Sequence, residues 1–383
     1  MLSKLSVITC SNFFTTGPAN ALEQFLSSRT SFLACAFHPF YYSKLRHSFV
    51  NIYEDGFPLR TRYFRTLPRF GVLSYLRDYA LSFMLPIFLR KKFDYFIGSN
   101  PLNALAGITL RKLGFVRKVI FYKIDYVPTR FTNPVLNFFY DQLDRISSEL
   151  SDWTWNLAQP MISERVKRGI RLGPQLIVPI GSNFERIQRR PPSQVYRNRI
   201  VYMGSLRQGQ GIQMAVEAFD KVRSILPHAE FVIVGTGPLA KELKKHVNKL
   251  GLDDFVTFKG EVPNHEEVEK ILTTCGIGLA PYEPSPNNFT RYTEPGKVKV
   301  YLACGLPVII TRVPEIANEI EARGAGIVSD YTIDGLASTI VKLIQDETAY
   351  MDARSAAIAF ASQFTWDNVF DRAFNSMLEI GIQ

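Results

Sequence analysis

The sequence predicts an α/β protein built from two doubly wound, largely parallel sheets. Three observations carry this reading. Short apolar runs recur along both halves, each ending in a glycine-bearing or polar loop that leads into a helical stretch. The length of 383 residues exceeds one ordinary core. Midway, the polar, basic and proline-bearing stretch QRRPPSQVYRNR interrupts the pattern, as a hinge does. The expected organisation is a first domain over 1–184, a linker over 185–198, a second domain over 199–365 and a closing helix over 366–383.

Composition narrows the function classes. Hydrophobic residues make up 46% of the chain, which fits a globular protein rather than a disordered one. Residues 1–190 hold 26 Lys and Arg against 12 Asp and Glu, a net +14, and the remainder holds 19 against 23, a net −4. The basic first half suggests an anionic partner, either a phosphate-bearing substrate or an anionic membrane surface. Cys10, Cys35, Cys275 and Cys304 are too scattered for a zinc site and read as buried small hydrophobes in a reducing compartment. The N-terminal MLSKLSVITC runs directly into a strand, without the pattern of a signal peptide. The longest nearly apolar run, 80–89, contains Pro86 and is too short to span a bilayer. A cytoplasmic location follows, with peripheral contact on the cytoplasmic membrane face as an extension of it.

In the first half, 5–10 reads as a buried strand, followed by a turn at Thr16-Gly17-Pro18 and a helix over 19–28. The next strands are 32–37 and 49–53. Residues 60–92 carry Arg60, Arg62, Arg65, Arg69, Arg77, Arg90, Lys91 and Lys92 against Asp78, interleaved with aromatic and aliphatic side chains. Such a segment either lies in a membrane interface or packs as a core helix with a solvated arginine face. No nucleic-acid recognition motif accompanies the charge, so nucleic acid is not an expected partner. A strand at 93–97, a helix at 101–113 and a strand at 118–122 follow. That last strand empties into KIDYVPTRF, where Asp125 takes the place at which α/β enzymes put substrate-handling groups. A turn-capping role for Asp125 is the alternative. Residues 153–157 and 176–180 read as the closing strands.

The second half restarts with a strand at 199–203, the loop 204–211 and a helix over 212–225. Strands at 230–234, 255–258 and 278–281 each end in a loop bearing glycine or proline. The stretch 292–310, YTEPGKVKVYLACGLPVII, combines a Pro295-Gly296 turn, a helix over 297–303 and a strand over 306–310. Its helix N-terminus offers free N–H groups to a phosphate or a sugar hydroxyl. Helices follow from 332 onward. The loops of these units converge on one sheet edge, which single turns do not explain.

With these motifs in order (VYMGSL with Gln210-Gly211, FVIVGTGPL, VTFKGEVP, LAPYEPS and PGKVKVYLACGLPVI), residues 199–345 resemble the GT-B glycosyltransferases, specifically glycosyltransferase family 4. The first 198 residues are similar only in architecture, with Val178-Pro179-Ile180-Gly181 as a further family-like feature. The resemblance implies two Rossmann-like domains facing across a cleft, with the C-terminal helix crossing back to the first. It implies transfer of a sugar from a nucleoside-diphosphate sugar to an acceptor hydroxyl, with retention and without a metal or cofactor. Cell-surface glycan or lipid-linked oligosaccharide synthesis is the setting it suggests, with a glycan or lipid-linked acceptor. By that likeness Lys259, Gly260 and Val262 contact the nucleobase, Gly235 and Gly237 line the nucleotide pocket, and Gly17 lets a loop approach the diphosphate. Gly204, Glu283 and Thr293 join the same donor-binding set.

The chain also departs from the pattern. The family has Arg after the first loop's glycine and Lys before its second, where this chain has Ser205 and Gln210. Arg207 then stands in as the cation, and Gln210 retains a hydrogen-bonding head. Of the family's two glutamates, the second falls on Val300 and the first near 292–294, leaving Glu294 as the carboxylate in register. Lys297 stands at the helix start to meet phosphate, and Asp125 is the candidate for the acceptor. A non-catalytic partner subunit is the alternative these departures raise. A dinucleotide oxidoreductase is disfavoured, because no GxGxxG follows the first strand.

Overall fold

The computed structural model describes residues 2–13, 17–40, 45–65 and 71–380. The chain divides into two units, Met1–Pro179 with Phe370–Gln383, and Ile180–Val369.

The first unit carries eight strands: β1 (Ser6–Phe13), β2 (Phe32–Pro39), β3 (His47–Glu54), β4 (Phe57–Arg65), β5 (Phe93–Gly98), β6 (Val116–Lys123), β7 (Trp153–Asn156) and β8 (Gln175–Ile177). They form one sheet in the order β4-β3-β2-β1-β5-β6-β7-β8, parallel from β2 to β8, with β3 and β4 antiparallel. Every residue of β2 is buried, as a strand covered on both faces requires. Helices Pro101–Lys112 and Pro134–Leu150 begin alike: Asn100 and Asn133 accept first-turn N–H groups, and a proline follows each. Within this unit Phe370 and Phe374, from the closing helix Trp366–Ile380, pack on Phe25 and Trp155.

Residues 60–92 are neither one amphipathic segment nor one helix. They divide into the edge strand β4 and the helix Gly71–Leu89. The cause is a tight hairpin at Asp55-Gly56, both at positive φ, which returns the chain antiparallel to β3. Arg69 lies outside the described residues. Helices Pro134–Leu150 and Gln159–Lys167, absent from the sequence reading, pack on helix Pro101–Lys112 and on β7 respectively.

A buried charge cluster locks these helices. Lys123 Nζ lies 2.7 Å from Asp144, Arg165 lies 2.8 Å from the same carboxylate, and Arg165 also donates to Asn156 at 2.6 Å. Burial alone would raise the pKa of Asp144, but Lys123 and Arg165 outweigh it and hold the carboxyl well below its ordinary range.

The second unit carries β9 (Tyr196–Met203), β10 (Glu230–Val234), β11 (Val256–Gly260), β12 (Cys275–Ala280), β13 (Val308–Thr311) and β14 (Gly326–Ser329). All pair in parallel, in the order β11-β10-β9-β12-β13-β14. The chain winds outward from β9 in one direction, then restarts beside it at β12 and winds in the other. The crevice beyond the C-terminal ends of β9 and β12 is therefore the topological switch point, where ligands bind in such sheets. Side chains alternate into two cores: Ile200, Tyr202, Phe231 and Ile233 on one face, and Val201, Val232 and Val234 on the other.

The stretch read as a linker is packed onto this unit. Ile187 is buried, Arg189 donates to the carbonyls of Ala303 (2.8 Å) and Phe184 (2.9 Å), and β9 already begins at Tyr196. Its polarity reflects arginines with fixed partners, Arg189 on main-chain carbonyls, Arg186 on Glu269 and Arg197 on Glu347, a use that composition does not reveal.

Substituting Asp144→Asn leaves Lys123 and Arg165 buried with one fewer charge between them. Unfolding free energy is expected to fall by about 3–5 kcal/mol. A fall below about 1 kcal/mol in urea titration would show that the cluster does not lock the helices.

Candidate functional site

At the switch point of the second unit, three loops are sewn together through their backbones. Leu206 N–H donates to Thr236 O at 3.0 Å, and Leu239 N–H returns a bond to Leu206 O at 2.9 Å. Gly235 N–H donates to Gly260 O at 2.7 Å. On the other side, Glu283 N–H and the Asn288 side chain both donate to Gly209 O, at 3.1 and 2.8 Å. Two glycines make this approach possible. A Cβ on Gly235 (φ +134°) would sit 2.0 Å from Gly204 O, and one on Gly211 (φ +71°) would sit 1.6 Å from Pro281 O.

Into this cradle helix Gly296–Ala303 presents its first turn, preceded by Pro295 and without a side-chain cap. Lys297 Nζ donates to Gln210 Oε1 at 3.2 Å and lies 4.1 Å from the Tyr202 ring and 4.8 Å from the Tyr282 ring. The Gly204 Cα points at it, since an added Cβ would lie 3.5 Å from Nζ. Burial, then the nearby Arg207, push the Lys297 pKa down to about 7. Arg207 stacks on Phe289 at 4.6 Å. Among the described residues no carboxylate forms an ion pair with either cation. The arrangement is a partly buried cationic recess framed by backbone, the kind of geometry that suits an anion.

The structure brings Gly204, Ser205, Arg207, Gln210, Gly235, Gly237, Glu283 and Lys297 to this one edge. Lys259 is exposed at the end of β11, beside Gly260, while Val262 packs partly into the core. Thr293 ends the short turn Phe289–Tyr292. Glu294 has other partners: it is buried, accepts from Ile180 N–H at 2.6 Å and pairs with Lys299 at 3.0 Å. Burial raises its pKa against the pull of Lys299. Val300 packs against the core. Neither position onto which the family's two glutamates fall offers a free carboxylate. The aromatic lining of Tyr202, Tyr282 and Phe289 escaped the sequence reading, although Tyr202 and Tyr282 lie within the motifs VYMGSL and LAPYEPS.

In the first unit Gly17 precedes helix Pro18–Ser27 with extended backbone (φ 177°), and nothing lies within 4 Å of an added Cβ. Neither backbone strain nor crowding from described atoms accounts for a glycine there, and Thr16 before it lies outside the described residues. Asp125 stands just beyond β6, half exposed and 2.7 Å from Arg130. Burial would raise its pKa, but Arg130 and Lys123 bring it below the ordinary range. Asp125 is thus a charged, paired carboxylate and a weak base. A polar group at the ends of β1 and β2 also escaped the sequence reading. Asn12 donates to Asp78 at 3.3 Å, Arg77 pairs with Asp78 at 2.7 Å, and burial lifts the Asp78 carboxyl to about 6. His38 bridges Ser48 and Ser82 at 3.1 and 2.9 Å, and burial drops it to about 3, so the imidazole is neutral.

Comparison with known proteins gives this geometry a context. Residues 197–346 match the family model described as "Glycosyl transferases group 1". The chain is 25% identical over 204 residues to poly(glycerol-phosphate) alpha-glucosyltransferase of Bacillus subtilis, covering 50% of this chain and 28% of that protein. It is 26% identical over 266 residues to the putative colanic acid biosynthesis glycosyltransferase WcaL of Escherichia coli, covering 67% of this chain and 62% of that one. The chain thus spans less than two thirds of the length of these relatives. Among solved structures, Anabaena Alr3699/HepE in complex with UDP superposes with a TM-score of 0.73 at 14% identity, covering 98% of this chain and 100% of that one. The fold is GT-B, as the sequence motifs implied.

If the bare cation defines the anion site, Lys297→Ala weakens diphosphate binding by about 1.5–3 kcal/mol, the range for a charge-assisted hydrogen bond. Calorimetric titration with a nucleoside diphosphate reads this directly. An unchanged affinity would remove Lys297 from the site.

Proposed function

We propose that this GT-B chain, with its glycosyl transferases group 1 segment at 197–346, transfers a sugar from a nucleoside-diphosphate sugar to an acceptor hydroxyl, with retention and without a metal. The observation that carries the reading is the pair Lys297 and Arg207, two cations at a switch point with no counter-carboxylate among the described residues. Breaking the C1–O bond leaves the pair of bonding electrons on the diphosphate. Lys297 as a donor, Arg207 as a second positive charge and the first-turn N–H groups of helix Gly296–Ala303 would bear that charge, without reorganising as it develops. The proposal gives them the part a divalent cation plays in other transferases.

In the first unit Asp125, held by Arg130, would orient the acceptor hydroxyl or steady the cationic sugar rather than strip a proton. UDP is the nucleotide to test first, since the Anabaena neighbour is described in complex with it. The name alpha-glucosyltransferase on the Bacillus relative supports an α-configured product. Product anomer is read by NMR, and turnover after chelation reads metal independence. The ion-paired Glu294 and the partly buried, apolar Val300 favour one other reading, a partner subunit that binds the nucleotide without turnover. A panel of nucleotide sugars separates the two, because the partner subunit would show neither transfer nor hydrolysis.

Asp125→Asn is expected to lower kcat roughly a hundredfold while donor affinity stays within error. Equal loss of donor binding, or near-normal turnover, would leave Asp125 a structural partner of Arg130.

A further inference from the structure

Two helices of the first unit leave large apolar side chains in solvent, and one of them is inside out. Helix Pro134–Leu150 buries Asp144, Ser147 and Ser148, whereas Val135, Phe138 and Phe139 are each 59% exposed. The inversion has a cause on the inner side. Lys123 and Arg165 draw Asp144 inward, and Ser147 Oγ donates to Pro101 O at 2.8 Å. At 3.6 residues per turn, apolar side chains are then left on the outer face. Helix Gly71–Leu89 is apolar nearly all round. It buries Leu85 while Leu73, Leu76 and Phe88 stay about half exposed, and its two charged residues, Arg77 and Asp78, pair with each other. Helix Pro101–Lys112 packs between the two. Surface helices of soluble proteins ordinarily show the opposite polarity.

Cations accompany this apolar layer. Arg60 and Arg62 pair in register with Ile52 and Val50, whose side chains join the core under helix Gly71–Leu89, so these arginines are on the same side of the sheet. Both are exposed, as are Arg90 and Lys92 just past that helix. Between Asp125 and Asp141 the only charged residue is Arg130.

We infer that this helical layer of the first unit lies in the interface of an anionic lipid bilayer. The exposed rings and aliphatic chains would sit at headgroup depth, and the arginines on lipid phosphates. The apolar side chains are spread over two helices with a third between them rather than gathered into a groove. That breadth, with cations beside it, fits a lipid surface better than a single protein ligand. No helix among the described residues is long and apolar enough to cross a membrane, so the contact is peripheral. The inference stands independently of the donor site. The helix at 134–150 thereby joins the arginine-rich stretch 60–92 in one surface.

Flotation of the full chain with phosphatidylcholine vesicles, with and without phosphatidylglycerol, tests it. The protein is expected to float with the anionic vesicles at low salt, to float poorly with the zwitterionic ones, and to be released as salt rises. Phe138→Ser with Phe139→Ser, and separately Arg60→Gln with Arg62→Gln, are each expected to weaken binding roughly tenfold or more with the melting temperature unchanged. Phe138→Trp should show blue-shifted emission on anionic vesicles. No flotation at low salt overturns the inference, as does flotation unaffected by either pair. A dimer seen by light scattering that the serine pair dissociates, without vesicle binding, would assign the surface to a second copy instead.

Discussion

An ammonium group with no counter-ion is the feature on which the second unit turns. A charge drawn out of water without a partner is unfavourable, and a side chain as flexible as lysine ordinarily swings out to solvent. Lys297 stays because the helix that carries it starts inside a cradle of three loops bonded to one another through their backbones. The faces of Tyr202 and Tyr282 and the Gln210 oxygen compensate in part. What remains uncompensated would, in the proposed function, drive the binding of an anion. The glycine at 235 and that at 211 serve this indirectly, by letting neighbouring backbones approach closely enough to hold the cradle shut.

Lys299, two residues along the same helix, shows the contrast. That offset turns its side chain to the opposite face, where Glu294 neutralises it and the Phe364 ring lies 3.0 Å away. Its charge is satisfied inside the protein, whereas that of Lys297 is not. The same division runs through the first unit. Lys123 and Arg165 are consumed by Asp144 as internal ties, while Asp125 keeps half its surface in solvent and takes Arg130 as a partner. Residue type does not separate these roles; burial together with a fixed opposite charge does.

Much of the second unit was legible because its signals are local. β10 matched the apolar run 230–234, and the Pro-Gly turn before Lys297 marked the helix start within one residue. Other features were hidden for physical reasons. The hairpin that makes β4 was encoded in Asp55-Gly56, but the arginines that follow gave that strand the look of an amphipathic segment. Helix Pro134–Leu150 has its polar face inward, so a reading that assigns apolar residues to the core looks at the wrong side of it. The commitment of Glu294 rests on Lys299 and on Ile180, over a hundred residues away, and no short motif shows a partner at that range. The packing of the 185–198 stretch was hidden likewise, because Arg189 finds its acceptors only once the chain has folded.

Whether Lys297 waits partly uncharged for an anion is read by counting protons. Its pKa lies near 7 in the free protein, and a bound diphosphate raises it, so binding above pH 7 must take up a proton. Titration of UDP at pH 8, in buffers of different ionisation enthalpy, measures that uptake. A clear fraction of a proton taken up is expected, with affinity that declines as pH rises through 7, and loss of both in Lys297→Met. Zero uptake in the unaltered protein, or the same uptake in the methionine variant, would contradict that expectation.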